Sequence, residues 1–298
     1  MKYSFALTIR IPRVFFGAAI LGLISCMQAD SPAHAEEEWV TSPEVASEID
    51  KLKRVYPEQS PKIRYERTGH QYTTYIVARK AGHSRERSRE FAFFSQYPDD
   101  EKQFSAVGVF FNIFDLNQRK RIMSTLHSLH DGKHSAVLKR RQDIQQLISD
   151  GVRSGNLTDP QIGLMIHALG DSYAHTTGNL DDGDLEAFGY VLGHLFHGTK
   201  PDIITYNPKK YRLYACALYD ALNGKGDCAH QLEDLYALID ELKVSRNTAL
   251  PEFETLANAS KYDFDKDKYE KIWDRGDPPL EKLEVDSALT IMESTFSK

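Results

Sequence analysis

The sequence is poor in cysteine and has no excess of basic residues. Three cysteines in 298 residues are too few for a small disulfide-dense scaffold. Lys and Arg number 37 against 43 Asp and Glu, a formal net charge of −6, which argues against a broad basic surface that binds nucleic acid. A metal-dependent nuclease stays possible because bound metal ions supply positive charge at a phosphate. Since 41% of the residues are hydrophobic, the composition indicates a globular protein.

Long hydrophobic runs are missing beyond the N-terminus. The run Val14–Ser25 follows several basic residues, has about the length of a signal-peptide core and is too short to span a bilayer. Two processing sites follow from the pattern: cleavage after Ala35, or lipidation of Cys26 in the lipobox-like Leu23–Cys26. We therefore expect a signal peptide over residues 1–35, or a lipoprotein signal that ends before Cys26. Either one predicts an extracytoplasmic protein, in the periplasm, anchored as an outer-membrane lipoprotein, or secreted.

Two cysteines, Cys216 and Cys228, remain after either processing event. They lie twelve residues apart in a compartment that we expect to be oxidising. A disulfide between them is the expected state. The alternative is a buried free thiol beside an exposed one, and the spacing does not resemble a zinc ribbon.

Apolar residues recur three and four positions apart along most of the mature chain, which is typical of helices. No segment shows sustained period-2 alternation, and no Pro/Gly/Ser-rich linker divides the chain. We predict an all-α fold with a single multi-helix domain over residues 36–298. The predicted helices cover residues 43–54, 70–81, 85–97, 102–114, 118–130, 135–152, 159–176, 184–197, 208–222, 229–242, 250–259 and 266–273.

Several motifs of common hydrolases and metal enzymes are absent. The sequence has no His-Glu-x-x-His and no Glu-x-x-His, which excludes the usual zinc-peptidase helix and the carboxylate-bridged di-iron bundle. Gly-x-Ser-x-Gly is also absent, which disfavours an α/β-hydrolase lipase. Neither Walker-type nor Rossmann glycine loops occur.

One predicted helix carries His167, Asp171 and His175 at positions i, i+4 and i+8. These side chains project from one face, and the apolar neighbours are those of a buried helix. The two histidines begin about 12 Å apart along the helix axis, so two metal ions fit better than one. Asp171 can bridge the ions with its two carboxylate oxygens. The alternative is a polar face on a solvated helix.

A second segment brings a histidine and a carboxylate together. His194 lies near the end of an aromatic-rich helix that Gly198 terminates, and Pro201 precedes Asp202 in the following loop. We interpret His194 and Asp202 as candidate metal ligands. The alternative is a structural histidine at position 194, and His197 is expected to cap the helix end.

Weaker signals lie upstream of these segments. His70 opens an amphipathic helix, Asp99 follows a Phe-rich helix that ends in a proline, and His127 with His130 closes another apolar helix. Each is more often structural when taken alone, and their joint occurrence makes them candidates. The histidines without such company are expected to be exposed: His83, His134 and His230.

These residues, in this order, resemble the zinc-dependent phospholipase C and P1-type nuclease superfamily. The resemblance spans residues 66–215, and its most specific motifs are His-x3-Asp-x3-His at His167–His175 and Gly-His-x3-Gly-x2-Pro-Asp at Gly193–Asp202. They match a bacterial subgroup of the superfamily. The resemblance implies an exported all-α protein that holds two or three zinc ions in a cleft between helices.

The resemblance also assigns ligands to each zinc ion. The first ion takes Asp99, His127 or His130, His167 and Asp171. The second takes His175, His194 and Asp202, and the third shares Asp171 and takes His70. Two positions depart from the family pattern: Trp39 is not at the N-terminus under either processing site, and Gly198 occupies the usual position of the last carboxylate.

The chemistry implied by this site is hydrolysis of a phosphodiester by a metal-activated water, with Asp99 orienting or deprotonating that water. We expect a phospholipase C that acts on phospholipid head groups and contacts a membrane surface, rather than a nuclease of the same superfamily. No binding to a nucleic-acid scaffold is expected. Two hypotheses compete: an HD-type phosphohydrolase built on His130-Asp131, and a non-catalytic surface or secreted protein that metal stabilises.

Overall fold

Helices dominate the part of the chain that the structure, a computed structural model, describes: residues 68–110, 115–189, 201, 203–245, 280 and 282–297. The helices are α1 (Thr73–Lys80, preceded by a π-helical turn at Thr68–Tyr72), α2 (Arg85–Asp100), α3 (Ala106–Phe110), α4 (Leu116–Arg121, followed by a π-helical turn at Ile122–Leu126), α5 (His134–Ser154), α6 (Asp159–Ala174), α7 (Pro208–Ala221), α8 (Cys228–Gln231), α9 (Glu233–Ser245) and α10 (Lys282–Phe296). Two short antiparallel strands, β1 (Thr176–Thr177) and β2 (Glu186–Ala187), lie between α6 and α7. The predicted all-α class is confirmed. No helix within the described ranges is both long and apolar enough to cross a membrane.

Capping residues delimit several helices close to the predicted bounds. Thr158 and Gln161 form a capping box at the start of α6, with Pro160 in the first turn. The hydroxyl of Ser84 caps α2. Gly155 ends α5 in the left-handed conformation, with φ of 66°. These local signals explain why the bounds of α2, α5 and α6 lie close to the predicted ones.

Helix α6 packs against α2, α5 and α7 and lies in the interior of the fold. Every residue of α6 from Ile162 to Tyr173 is buried. Gly163 allows α2 to approach closely, because a Cβ atom at this position would lie 2.4 Å from the Cβ atom of Phe94. The helix therefore carries His167 and Asp171 into the core instead of presenting them to solvent.

The chain after α6 departs from the prediction. The expected helix at 184–197 contains strand β2 within its described part, which pairs with β1. The backbone amide of Phe188 donates to the carbonyl of His175 at 3.0 Å and extends this pairing. Gly183 adopts a positive φ of 68° in the turn that connects the two strands.

Other helices also differ from the prediction. The segment 118–130 is helical only through the π-helical turn that ends at Leu126, because Ser128 takes a positive φ of 52°. Helix α10 is not among the helices that the sequence predicts. The predicted helices 43–54, 250–259 and 266–273 lie outside the described residues.

Cys216 on α7 and Cys228 on α8 form a disulfide. The bond ties the last turns of α7 to the short helix that follows, across a twelve-residue separation. The described cysteines are therefore in the expected disulfide state rather than present as free thiols.

Candidate metal centre

Five side chains from four separate segments converge in the core. We call them the His–Asp cluster: His70, Asp99, His127, His167 and Asp171. His70 comes from the turn before α1, Asp99 from the end of α2, His127 from the residue after the second π-helical turn, and His167 and Asp171 from α6. All five side chains are at most 5% exposed.

The His167 ring has one tautomer in this environment. Its Nδ1 atom lies 2.8 Å from the carbonyl oxygen of Ser95. Since a carbonyl only accepts, Nδ1 carries the proton and Nε2 of the neutral ring presents a lone pair. That Nε2 atom lies 3.2 Å from Oδ2 of Asp171, one helical turn away.

The His127 ring is held in the same way but with the opposite nitrogen. Its Nε2 atom donates to the carbonyl oxygen of Phe104 at 2.8 Å. Nδ1 of the neutral ring therefore presents its lone pair, and it lies 3.1 Å from Oδ2 of Asp171 and 3.2 Å from Nε2 of His167. Two backbone carbonyls thus direct both rings at the same carboxylate oxygen.

Three lone pairs therefore face one another within a buried space. With no cation among them, the negative ends of two imidazoles and a carboxylate would repel. Ligand atoms of a tetrahedral ion with bonds of about 2.0–2.2 Å are about 3.3–3.6 Å apart, close to the shortest separation that neighbouring ligand atoms keep. The distances of 3.1–3.2 Å among His127, His167 and Asp171 come close to that separation. The cluster can bind a metal ion.

His70 and Asp99 complete the cluster. Nε2 of His70 lies 3.1 Å from Oδ1 of Asp171, and the His70 and His167 rings stack with centroids 4.3 Å apart. Carboxylate oxygens of Asp99 lie 3.8–4.0 Å from the ring nitrogens of His167, His70 and His127. Two groups of three ligands have metal-site spacing, His70–Asp99–His167 and His127–His167–Asp171, and they share His167. The resemblance pairs His70 with Asp171, and here His70 approaches both carboxylates.

His175 lies beside the cluster rather than within it. Its Nδ1 atom is 3.5 Å from Oδ2 of Asp171 and donates to the carbonyl of His127 at 3.0 Å. The ring stacks on Phe188. Both histidines of the His-x3-Asp-x3-His motif therefore approach the same Asp171 side chain.

Of the two histidines that the sequence left open, His127 lies in the cluster and His130 does not. Its Nδ1 atom accepts from the backbone amide of Gly132 at 3.1 Å. Burial and the nearby Arg140 lower the pKa of His130 to about 4. The positive φ of Ser128 turns the chain between His127 and His130. The neighbouring Asp131 is exposed, so the HD-type hypothesis finds no support in the described residues.

Of the other candidates, some fall outside the described residues and the rest lie outside the cluster. His194 and Asp202 fall outside the described residues, as do His197 and Trp39. His83 is half-buried rather than exposed, and its Nε2 atom bonds the carbonyl of Leu222. His134 is also half-buried, whereas His230 is exposed as expected.

The electrostatics of the cluster favour the ligand forms of its side chains. Burial lowers the pKa of His167 to about 3, although the Asp171 carboxylate acts in the opposite direction. Burial alone would raise the pKa of Asp171, but the influence of His175 and His167 outweighs it and holds that pKa well below its usual range. At neutral pH His167 is neutral and Asp171 is ionised, which are the forms that bind metal ions.

A cleft of about 420 Å³ borders the cluster at His70 and Gly170. We call it the aromatic cleft, because five rings line it: Tyr173, Phe188, Tyr206, Tyr211 and Tyr214. Sequence analysis missed Tyr173 as a lining residue of this cleft. It also missed Lys210, whose only signal was its position on the same helical face as Tyr211 and Tyr214.

Gly170 sets the distance between α6 and His70. A Cβ atom at position 170 would lie 2.9 Å from Cε1 of His70 and 3.3 Å from Cζ of Tyr214. We expect Gly170→Ala to displace the His70 ring and weaken metal affinity by about tenfold, the lower end of the effect of disturbing a metal site's supporting residues. Competitive zinc titration measures it. Gly69→Ala is the matched control, since its Cβ atom would be 3.4 Å from Ile204; equal affinities of the two variants would contradict the expectation.

Comparisons with protein-family models, with curated proteins and with solved structures found no match to this chain.

Proposed function

We propose that this protein is an exported zinc-dependent phosphodiester hydrolase, most specifically a phospholipase C that acts on phospholipid head groups. The observation that carries the proposal is the convergence of three buried lone pairs from His127, His167 and Asp171 within 3.2 Å. Imidazole nitrogens with a carboxylate oxygen are a typical zinc ligand set. The aromatic cleft gives a substrate access to one side of the cluster, at His70.

The residues divide the proposed chemistry between them. His127, His167 and Asp171 would hold zinc, with His70 and Asp99 as further ligands. Bound zinc would acidify a water molecule and neutralise charge on a phosphate. Asp99 lies at the edge of the cluster, with its carboxylate 3.8–4.0 Å from the ring nitrogens. We assign it the role of orienting the attacking water and accepting its proton.

The cleft supports a small organic phosphate as the substrate. Its volume of about 420 Å³ lies in the range of pockets that bind small molecules. Aromatic rings pack against the apolar parts of a lipid head-group region and also stack on nucleobases. A nuclease of the same superfamily is thus the second candidate.

A non-catalytic, metal-stabilised protein is the third candidate, and one observation favours it. His127, His167 and Asp171 are fully buried, as ligands of closed structural sites are. His70 argues for catalysis instead, because it belongs to the cluster and also lines the cleft. Activity separates the two.

Hydrolysis of a chromogenic phosphocholine diester and of a phospholipid panel tests the proposal. We expect zinc-loaded protein with at least two zinc equivalents to hydrolyse these substrates at neutral pH, with loss of activity in a strong chelator and recovery on adding zinc. Asp99→Asn should lower turnover by about 100-fold or more, because the amide takes up no proton from water. It should keep most of the zinc at His127, His167 and Asp171.

The exposed His230 supplies the control, and His230→Ala should match wild type. His83 is unsuitable as a control because its ring forms a hydrogen bond with the backbone carbonyl of Leu222, which the substitution would remove. Cleavage of single-stranded nucleic acid without lipid hydrolysis would identify a nuclease. Stable zinc binding without hydrolysis of any diester would contradict the hydrolase and support the non-catalytic protein that metal stabilises.

Export is the remaining part of the proposal. Mass spectrometry of the mature protein is expected to find either Glu36 or a lipid-modified Cys26 at the N-terminus. The physical reason is that Val14–Ser25 suits a signal-peptide core. Recovery of the chain from the cytosol with an intact Met1 would contradict export.

A further inference from the structure

One helical face forms a wall of the aromatic cleft. This face begins at Asn207, which precedes the first residue of α7, and continues with Lys210, Tyr211 and Tyr214. The four residues have the spacing i, i+3, i+4 and i+7, and all of them line the cleft. Tyr211 reaches Thr73 through a hydroxyl–hydroxyl hydrogen bond of 2.8 Å. The wall is thereby fixed against the helix that follows His70.

Lys210 is the charged side chain that α7 contributes to this wall. Its Nζ atom donates to the carbonyl oxygen and to the hydroxyl of Thr176. An ammonium group has three donors, so one donor remains beyond the two that Thr176 accepts. Thr176 directly follows His175, and this contact fixes the ammonium group beside the segment that leads away from the cluster.

Arg141 and Asp184 are the charged side chains that act on Lys210. Arg141 is buried, donates two hydrogen bonds to the carbonyl of Ser172 and stacks on the ring of Tyr173 at 3.9 Å. Burial and Arg141 lower the pKa of Lys210 to about 8, while Asp184 acts in the opposite direction. Lys210 is therefore still largely protonated at neutral pH. Among the described residues that line the cleft there is no Asp or Glu.

The charge of Lys210 should favour binding of anionic phosphate esters over zwitterionic ones. An ester with a net negative charge gains a charge-assisted hydrogen bond from Lys210. A zwitterionic ester that carries a quaternary ammonium group meets a like charge at Lys210, and no lining carboxylate among the described residues compensates for it. The rings of Tyr173 and Tyr214 accept the organic part of either ester.

We propose that the aromatic cleft is a binding site for anionic organic phosphates and that Lys210 selects them over zwitterionic ones. This inference rests on the proposed function, because it names the substrate class of the same metal centre. It shifts the expected head group from phosphocholine to an anionic one such as phosphoglycerol. A nucleotide has the same anionic phosphate chemistry, so the test includes both sources.

Calorimetric titration with phenylphosphonate tests the site without turnover, since this aromatic dianion is not hydrolysed. Wild type, Lys210→Met and Lys210→Arg are compared, each zinc-loaded and each zinc-depleted. We expect Lys210→Met to bind about tenfold more weakly or worse in both states, because one charge-assisted bond is lost. Lys210→Arg should keep most of the affinity. The control is Lys209→Met, whose exposed ammonium group pairs with Asp181 and does not line the cleft.

Competition then identifies the natural source. Glycerol 3-phosphate, adenosine 5′-monophosphate and phosphocholine are titrated against bound phenylphosphonate, and both anionic ligands should compete better than phosphocholine. The stronger of the two distinguishes a lipid head group from a nucleotide. Equal affinity of wild type and a folded Lys210→Met variant would overturn the proposal, as would phosphocholine competing best. Binding that depends on Lys210, in a protein that hydrolyses no diester, would keep the anion site and refute the hydrolase.

Discussion

Asp171→Asn is expected to remove metal binding and hydrolysis together. Asp171 is the one side chain of the cluster within 3.2 Å of His70, His127 and His167. The amide has the same shape but no charge, so it neither bridges cations nor compensates for their charge. Zinc affinity should fall by more than about 100-fold, beyond the 10–100-fold effect of replacing residues that only support a ligand. No diesterase activity should remain.

The variant should nevertheless fold. The amide nitrogen that the substitution introduces can donate to Nδ1 of His127 and Nε2 of His167, the two lone pairs that face this position. Equilibrium dialysis with elemental analysis measures the zinc, and thermal unfolding measures the fold. Asp150→Asn on the exposed face of α5 is the matched control. A folded Asp171→Asn protein with wild-type zinc content would refute the metal centre.

Removal of the metal is expected to lower the melting temperature by roughly 10 °C. Zinc at 1,000 times its Kd stabilises the folded protein by about 4 kcal/mol through mass action. In a protein of this size each kcal/mol corresponds to about 2–4 °C. Zinc should bind the folded state preferentially, because its three ligand atoms on His127, His167 and Asp171 come together only in the folded protein. There, α6 carries two of these side chains, and the carbonyls of Phe104 and Ser95 orient the two rings.

Calorimetry of zinc-loaded and chelator-treated protein measures this shift. The Asp171→Asn variant is the internal control, because its melting temperature should not respond to the chelator. Magnesium should restore less stability than zinc, since two of the closest ligands are imidazole nitrogens. Identical melting temperatures with and without chelator would contradict a metal that stabilises the fold.

The sequence alone determined the local features of this protein. The capping residue Thr158 marks the start of α6 because hydrogen bonds within a few residues decide it. The spacing of His167 and Asp171 predicts their shared face because an α-helix places i and i+4 one above the other. Apolar neighbours on all sides predict that this helix is buried.

Only the tertiary structure decided which side chains meet and in which form. Nothing local distinguishes His127 from His130; the positive φ of Ser128 and the distant carbonyl of Phe104 make the choice. Lys210 was missed because a lysine on a helix is usually solvated, whereas here two hydrogen bonds to the distant Thr176 hold it in a cleft. The periodic spacing of apolar residues along a helix predicts which face of that helix is buried. The geometry of the metal ligands depends instead on contacts between segments tens of residues apart, which no local sequence pattern encodes.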